Sequence, residues 1–91
     1  MNFKLLKEQT TKALLKVKSL YVKHPDSTAL LSIINQLEFI EQKSKNGLNP
    51  KEELPPGTLF TFGITSSREL ASPEELKVKK LIDRVSELLD D

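Results

Sequence analysis

The sequence predicts an all-α fold, a compact four-helix domain with a proline-rich linker between the second and third helices. Through three long segments, apolar residues recur every three or four positions, which is the period of an amphipathic helix. Only residues 59–65 alternate apolar and polar side chains in a way that suggests a strand. We expect four helices, over residues 2–22, 26–45, 57–70 and 73–89.

The first predicted helix, residues 2–22, carries an apolar stripe on one face. The stripe consists of Phe3, Leu6, Thr10, Ala13, Leu14, Val17, Leu20 and Tyr21. Pro25 ends this helix, because a proline disfavours helical backbone in the residue before it. Asp26 and Ser27 can then accept hydrogen bonds from the first free amides of the second helix.

The second predicted helix, residues 26–45, has a stripe formed by Leu30, Ile33, Ile34, Leu37 and Ile40. Gly47 follows it and can adopt the left-handed conformation that closes many helices. The linker over residues 48–57 contains three prolines, which limit its freedom in the unfolded chain. We expect Leu48 and Leu54 to pack back onto the core.

Residues 59–70, LFTFGITSSREL, fit two periods. Alternation places Phe60, Phe62 and Ile64 on one face of a strand, and their residue types favour strand. A lone strand among helices would leave its backbone hydrogen bonds without partners, so we predict helix. We expect two of these three side chains to fill the core. The remaining apolar surface, with Arg68 and Glu69, suits a rim against another protein.

The fourth predicted helix, residues 73–89, begins with a strong capping pattern. Ser72 stands at the N-cap, Pro73 at the first helical position and Glu75 at the third, so that Ser72 and Glu75 can satisfy each other's backbone amides. Its apolar stripe then continues at helical period through Leu76, Val78, Leu81, Ile82, Val85, Leu88 and Leu89.

Length and composition predict one domain over residues 1–91 with a thin core, since 37% of the residues are hydrophobic and 30% are charged. The chain has no cysteine, which fits a reducing compartment and leaves no disulfide or thiolate metal site. Its first residues lack the apolar stretch of a signal peptide, and no apolar run approaches a membrane span. We expect a cytoplasmic protein without a membrane partner.

Residues that could carry chemistry are scattered. His24 is the only histidine and precedes a proline, which suits a surface residue better than a metal ligand or a catalytic base. The carboxylate pairs 52–53, 74–75 and 90–91 have no apolar surroundings in sequence that would separate two pKa values. The three glycines form no phosphate-binding pattern. We expect no enzyme, no metal and no cofactor.

Charge is unevenly distributed along the chain. Residues 1–24 contain six lysines and one acid, whereas residues 25–91 contain eight basic and twelve acidic residues. Such a contrast most often reflects complementary charges within one fold. Two alternatives stay open: a nucleic-acid-binding regulator that uses the lysine-rich first helix, and a homo-oligomeric adaptor, a homodimer in which residues 59–65 pair with their copy as strands.

From residue 20 to residue 85, the order of features resembles a known family. A proline-bearing break opens HPDSTALLSIINQLEFIEQ, a short linker leads to the glycine-centred LFTFGITSSREL, and SPEELKVKKLIDRV follows. This order is similar to that of small all-helical immunity proteins, which protect bacteria from type VI secretion toxins that degrade NAD(P). The matching residues are Gly63, Arg68, Glu69, Leu70, Pro73, Glu75 and Leu76. Phe60, Phe62 and the proline-rich linker depart from the family pattern.

The resemblance implies helix over residues 57–70, with Gly63 allowing another backbone to come close. It also implies an immunity protein that binds a cognate secreted toxin, an NAD(P) glycohydrolase, and blocks its active site. Polar neighbours of the apolar stripes are the predicted toxin-binding residues: Asp26, Glu38, Glu41, Arg68 and Glu69.

Overall fold

The computed structural model describes residues 1–90 and contains four helices, α1 (Phe3–Lys23), α2 (Thr28–Lys45), α3 (Phe62–Glu69) and α4 (Pro73–Leu89). No strand forms within these residues, which confirms the all-α prediction. Helices α1, α2 and α4 begin and end within two residues of their predicted bounds. Asp91, the last residue of the predicted domain, lies outside the described residues.

Local capping explains most of these bounds. Ser27 caps α2, because its Oγ accepts a hydrogen bond of 3.1 Å from the Leu30 amide. At the other end Gly47 has a φ of 72°, and the Leu48 amide donates to the Lys43 carbonyl at 2.9 Å, which closes the helix as predicted. The reciprocal hydrogen bonds predicted between Ser72 and Glu75 are both present at the start of α4.

The four helices form a ring around one apolar core. Helix α1 packs against α2 and α4, and α3 packs against the same two helices. Within residues 1–90, α1 and α3 do not approach each other closely, nor do α2 and α4. All four helices and the residue after α3 supply buried apolar side chains: Leu6, Ala13, Leu14, Val17, Leu20, Leu30, Ile33, Ile34, Leu37, Ile40, Phe62, Leu70, Val78, Ile82, Val85, Leu88 and Leu89.

The linker contributes one unexpected core residue. Pro50 is fully buried, and Leu54 is half-buried as expected. Leu48 is 40% exposed, so the prediction that it packs on the core was wrong. The chain reverses at Gly47 to close α2, and it is Pro50, three residues further on, that reaches the interior.

Helix α3 begins at Phe62, five residues later than predicted. Gly57 has a φ of 81°, which is incompatible with a right-handed helix, and the Thr58 amide donates to the Pro55 carbonyl at 3.1 Å in a tight turn. Residues 58–61 have no regular structure. The predicted helix over residues 57–70 therefore exists only in its second part, and the strand considered for residues 59–65 does not form.

Candidate partner-binding groove

Three aromatic rings connect α2, the residues just before α3, and α3 itself. The Phe60 ring lies edge-to-face with Phe39 and with Phe62, at centroid distances of 6.0 and 5.7 Å. Such pairs contribute about 0.5–1.5 kcal/mol beyond area burial. Phe60 and Phe62 pack with the core, whereas Ile64 is 61% exposed. The expectation that two of the three would fill the core is thus confirmed.

A side chain of α2 caps the N-terminus of α3. Gln36 Oε1 accepts hydrogen bonds from the backbone amides of Thr61, at 2.8 Å, and Phe62, at 3.0 Å. Gln36 Nε2 donates to Thr61 Oγ1 at 3.0 Å. Thr61 makes no capping hydrogen bond with its own side chain, and Gln36 satisfies two of the amides that the start of a helix leaves without an intrahelical partner. The position of α3 therefore depends on α2.

A groove with a volume of 810 Å³ lies between residues 51–60, α3 and α4. We call it the α3 groove and define it by residues from all three of these segments: Leu59, Phe60, Gly63, Ile64, Arg68, Asp83 and Leu89. Two apolar side chains in this lining are unusually open to solvent, Leu59 at 85% and Ile64 at 61% exposure. An apolar concavity with exposed apolar members is typical of a binding surface.

Most of the charges at the groove already have partners. Lys51 Nζ lies 3.2 Å from Asp90 Oδ1, and Lys79 Nζ lies 2.7 Å from the groove residue Asp83. Arg68, in the last turn of α3, makes no ion pair and no side-chain hydrogen bond with any residue in the described range 1–90. One cation at the groove is thus available to an external anion.

Gly63 lies in the groove without a packing reason. A Cβ built on it would meet only Ser86 Oγ, at 3.9 Å, which is an ordinary van der Waals distance. The expectation that Gly63 lets another backbone of the fold come close was therefore wrong, because within residues 1–90 no backbone atom from outside α3 lies within 4 Å of that Cβ position. Glycine has a lower helix propensity than alanine, by about 1 kcal/mol in a helix interior. Gly63 is the second residue of α3, and no contact within residues 1–90 requires a glycine there.

The structure does not bring the predicted toxin-binding residues together. Arg68 lies in the α3 groove. Its neighbour Glu69 lies instead beside His24 and Glu75, in a shallow depression between the α1–α2 and α3–α4 loops. Asp26 is exposed in the α1–α2 turn. These residues thus occupy at least two separate faces.

Glu38 and Glu41 lie on α2 and both contact α1. Glu38 Oε2 is 4.0 Å from Lys18 Nζ, and both side chains are half exposed. Glu41 is half-buried and accepts a 2.6 Å hydrogen bond from Thr11 Oγ1. Glu38 remains open to solvent, whereas Glu41 already has a partner within the fold.

Hydrogen bonds at the start of α4 lower the pKa of Glu75. The Ser72 backbone amide and the Ser72 hydroxyl are the main causes, and the Ala71 amide and the nearby His24 add to the effect. Partial burial opposes it by disfavouring the charged carboxylate. Because these contacts belong to a helix cap, the lowered pKa indicates local structure rather than acid–base chemistry.

The lysines of α1 are only partly matched by acids. Lys23 pairs with Glu74 of α4 at 3.4 Å, and Lys18 pairs with α2. A second, smaller groove of 320 Å³ between α1 and α4 contains Lys16, Lys23 and Lys77. Complementarity within the fold, the interpretation favoured from sequence, thus accounts for two of the six lysines of residues 1–24.

Metal binding and membrane insertion find no support in the described residues. Residues 1–90 contain no cluster of three or more His, Asp or Glu side chains that could hold a metal ion. None of the helices described is long and apolar enough to cross a membrane.

The sequence analysis did not predict two features at or beside the groove. The capping of α3 by Gln36 could not be predicted from local patterns, because the amides it caps lie 25 and 26 residues further along the chain. The exposure of Leu59 could have been predicted, since Leu59 directly follows the turn of residues 55–58 and precedes Phe60, which packs inward. An apolar residue between a turn and an inward-facing neighbour is a candidate for exposure.

Comparison with known proteins gives one match. A family model described as Tsi6 matches residues 6–89, from the first turn of α1 to the end of α4. No curated protein and no solved structure matches the chain.

Proposed function

Because the chain belongs to the Tsi6 family, a family of type VI secretion immunity proteins, we propose that it binds a cognate secreted toxin and blocks the toxin's active site. The match over residues 6–89 is the observation that carries this proposal. We take the toxin to be an NAD(P) glycohydrolase, on the strength of the ordered resemblance over residues 20–85 to immunity proteins against such toxins.

The proposed mechanism is steric and needs no catalysis by this chain. A rigid helical surface covers the toxin's active site and denies entry to the dinucleotide. Rigidity favours such an inhibitor, because little conformational freedom is lost on association. Every buried side-chain nitrogen and oxygen within residues 1–90 has a hydrogen-bond partner, which supports a preformed surface.

The local environment of each proposed contact residue determines how available it is to the toxin, and we rank the residues accordingly. Arg68 comes first, since it lines the α3 groove and has no ion pair among residues 1–90. The exposed side chains of Glu69, Asp26 and Glu38 follow. Glu41 comes last, because binding through its carboxylate would have to compete with Thr11.

The test uses the toxin domain encoded beside the gene for this chain. Its consumption of NAD⁺ and NADP⁺ is followed alone, with an equimolar amount of this protein, and with an unrelated helical protein as control. We expect turnover to stop only with this protein, and the two proteins to co-elute on a sizing column. A complex with undiminished turnover would refute occlusion, and a toxin that leaves both dinucleotides intact would refute the assigned chemistry.

Nucleic-acid binding is the second candidate, and the lysines in the groove between α1 and α4 are the observation that favours it. Binding of this kind falls steeply with salt concentration, because it releases counterions from the phosphates. Titration of a labelled duplex and a labelled single strand at two salt concentrations tests it. No binding at physiological salt would exclude this function.

A further inference from the structure

We propose that the α3 groove receives a segment of the toxin that crosses closely over Gly63, inserts an apolar side chain beside Ile64 and places a carboxylate against Arg68. The proposal rests on the proposed function, since it takes the toxin as the partner. It adds the docking site on this chain and the chemistry of the toxin segment that fits there.

Gly63 is the first argument for a close approach from outside. The nearest atom to a Cβ at this position is a side-chain oxygen at 3.9 Å, so the fold itself leaves room for alanine. Glycine favours a helix less than alanine does, and no contact within residues 1–90 requires glycine at this position. Because Gly63 lines the groove, the space above it is open to the backbone of a partner.

Exposed apolar side chains around one concavity are the second argument. Leu59 and Ile64 lie 85% and 61% exposed beside the half-buried Phe60, all within the same groove lining. Covering such side chains removes apolar surface from water and favours association. The groove volume of 810 Å³ exceeds the space that a single side chain fills, which suits a segment of chain.

Charge complementarity is the third argument, and it decides the chemistry of the occupant. The acids at the groove, Asp83 and Asp90, are already paired with lysines, whereas Arg68 has no ion pair with any residue of the described range 1–90. A guanidinium forms two parallel hydrogen bonds with a carboxylate and is therefore well suited to recognise one. An acidic segment fits this groove better than a basic one.

Helical spacing fixes the distance between the apolar contact at Ile64 and the carboxylate contact at Arg68. Ile64 and Arg68 are four residues apart in α3, so they lie on the same face, about 5–6 Å apart at their Cβ atoms. The toxin segment should therefore carry its apolar side chain and its carboxylate within about one helical turn of each other.

Two variants test the proposal by direct titration against the toxin domain. Gly63→Ala should raise the melting temperature by a few degrees and still weaken toxin binding about 10-fold or more, because the added methyl group meets the partner. Arg68→Glu should weaken binding about 100-fold, since it places two carboxylates together. Arg84→Glu makes the same charge change on α4 outside the groove lining and should alter binding by less than about 3-fold.

The outcomes separate this proposal from the proposed function. Wild-type protein that neither binds nor inhibits the toxin would overturn both. Wild-type protein that binds, with Gly63→Ala and Arg68→Glu as tight as Arg84→Glu, would overturn the groove alone and leave the immunity function standing. A wild-type dimer that becomes a monomer on Arg68→Glu would assign the groove to a second copy of this chain and overturn the toxin contact.

Discussion

The α1–α2 pair and α3 are held in place by different forces. Helices α1 and α2 have 21 and 18 residues and each bury six side chains, most of them apolar. Helix α3 has eight residues and buries Phe62 and Ser66. A helix of that length is not stable alone in water, so its position depends on Gln36, on the aromatic stack and on the neighbouring helices.

This difference in burial suggests that the two regions contribute differently, one to stability and the other to the surface of the groove. The long helices supply the free energy of folding, and the short helix supplies the surface that faces the groove. Segments of low local stability often carry binding function, because few of their contacts are committed to the core. Helix α3, which buries the fewest side chains, is thus also the one that carries the exposed Ile64 and Arg68, whose side chain has no ion pair among residues 1–90.

The largest expected effect lies in the region of long helices. Ile33→Ala removes a fully buried side chain from α2 and should lower the free energy of unfolding by about 2–5 kcal/mol, because it leaves a cavity. Leu31→Ala, on the same helix at a position 42% exposed, is the matched control. Denaturant titration measures both changes, and equal losses from the two variants would contradict the assignment of stability to the buried stripe.

A smaller and more local loss of stability is expected where Gln36 of α2 contacts the start of α3. Gln36→Ala removes the acceptor for two amides of α3 and should lower stability by about 1–2 kcal/mol, since those amides lose their cap. Hydrogen exchange should accelerate in residues 61–69, and in α1 by no more than the loss of global stability requires.

Two further variants sharpen the Gln36 prediction. Gln36→Glu keeps an acceptor and adds a negative charge near the helix N-terminus, so it should preserve the protection of α3. Gln42→Ala changes an exposed glutamine on the same helix and serves as the control. Unchanged exchange in residues 61–69 after Gln36→Ala would show that the aromatic stack alone positions α3.

The smallest effect concerns the start of α4. The pKa of Glu75 is lower in the folded chain than its ordinary value of 4.5, so its ionised form stabilises the fold above that pH. This contribution is lost as the pH falls through the lowered pKa of the folded state. Melting temperatures of wild type and Glu75→Gln should therefore differ by a few degrees at pH 7 and converge in acid. A difference independent of pH would refute the charge contribution.

Local patterns were enough to predict three of the helices. The stripes of α1, α2 and α4, the glycine that closes α2 and the capping residues of α4 all involve positions within four or five residues of each other. The start of α3 was not predictable in this way. It depends on the left-handed Gly57 and on Gln36, whose hydrogen bonds cross 25 residues of chain.

The residues of the candidate site were harder to predict than the fold, for a physical reason. Polar neighbours of an apolar stripe can face an open groove, as Arg68 does, or another helix, as Glu41 does. Sequence period does not distinguish these cases, because both positions lie at the edge of a stripe. The role of Gly63 was misjudged for the same reason, since only the packed structure shows that no backbone comes near it.

The ring arrangement of the helices also bears on how fast the protein folds. Three of its four helix–helix interfaces join helices adjacent in sequence, and only the contact of α1 with α4 spans the chain. Helical proteins with mostly local contacts fold in about microseconds to milliseconds, much faster than a ribosome completes a chain of this length. Folding then adds little to the time that synthesis of the chain takes.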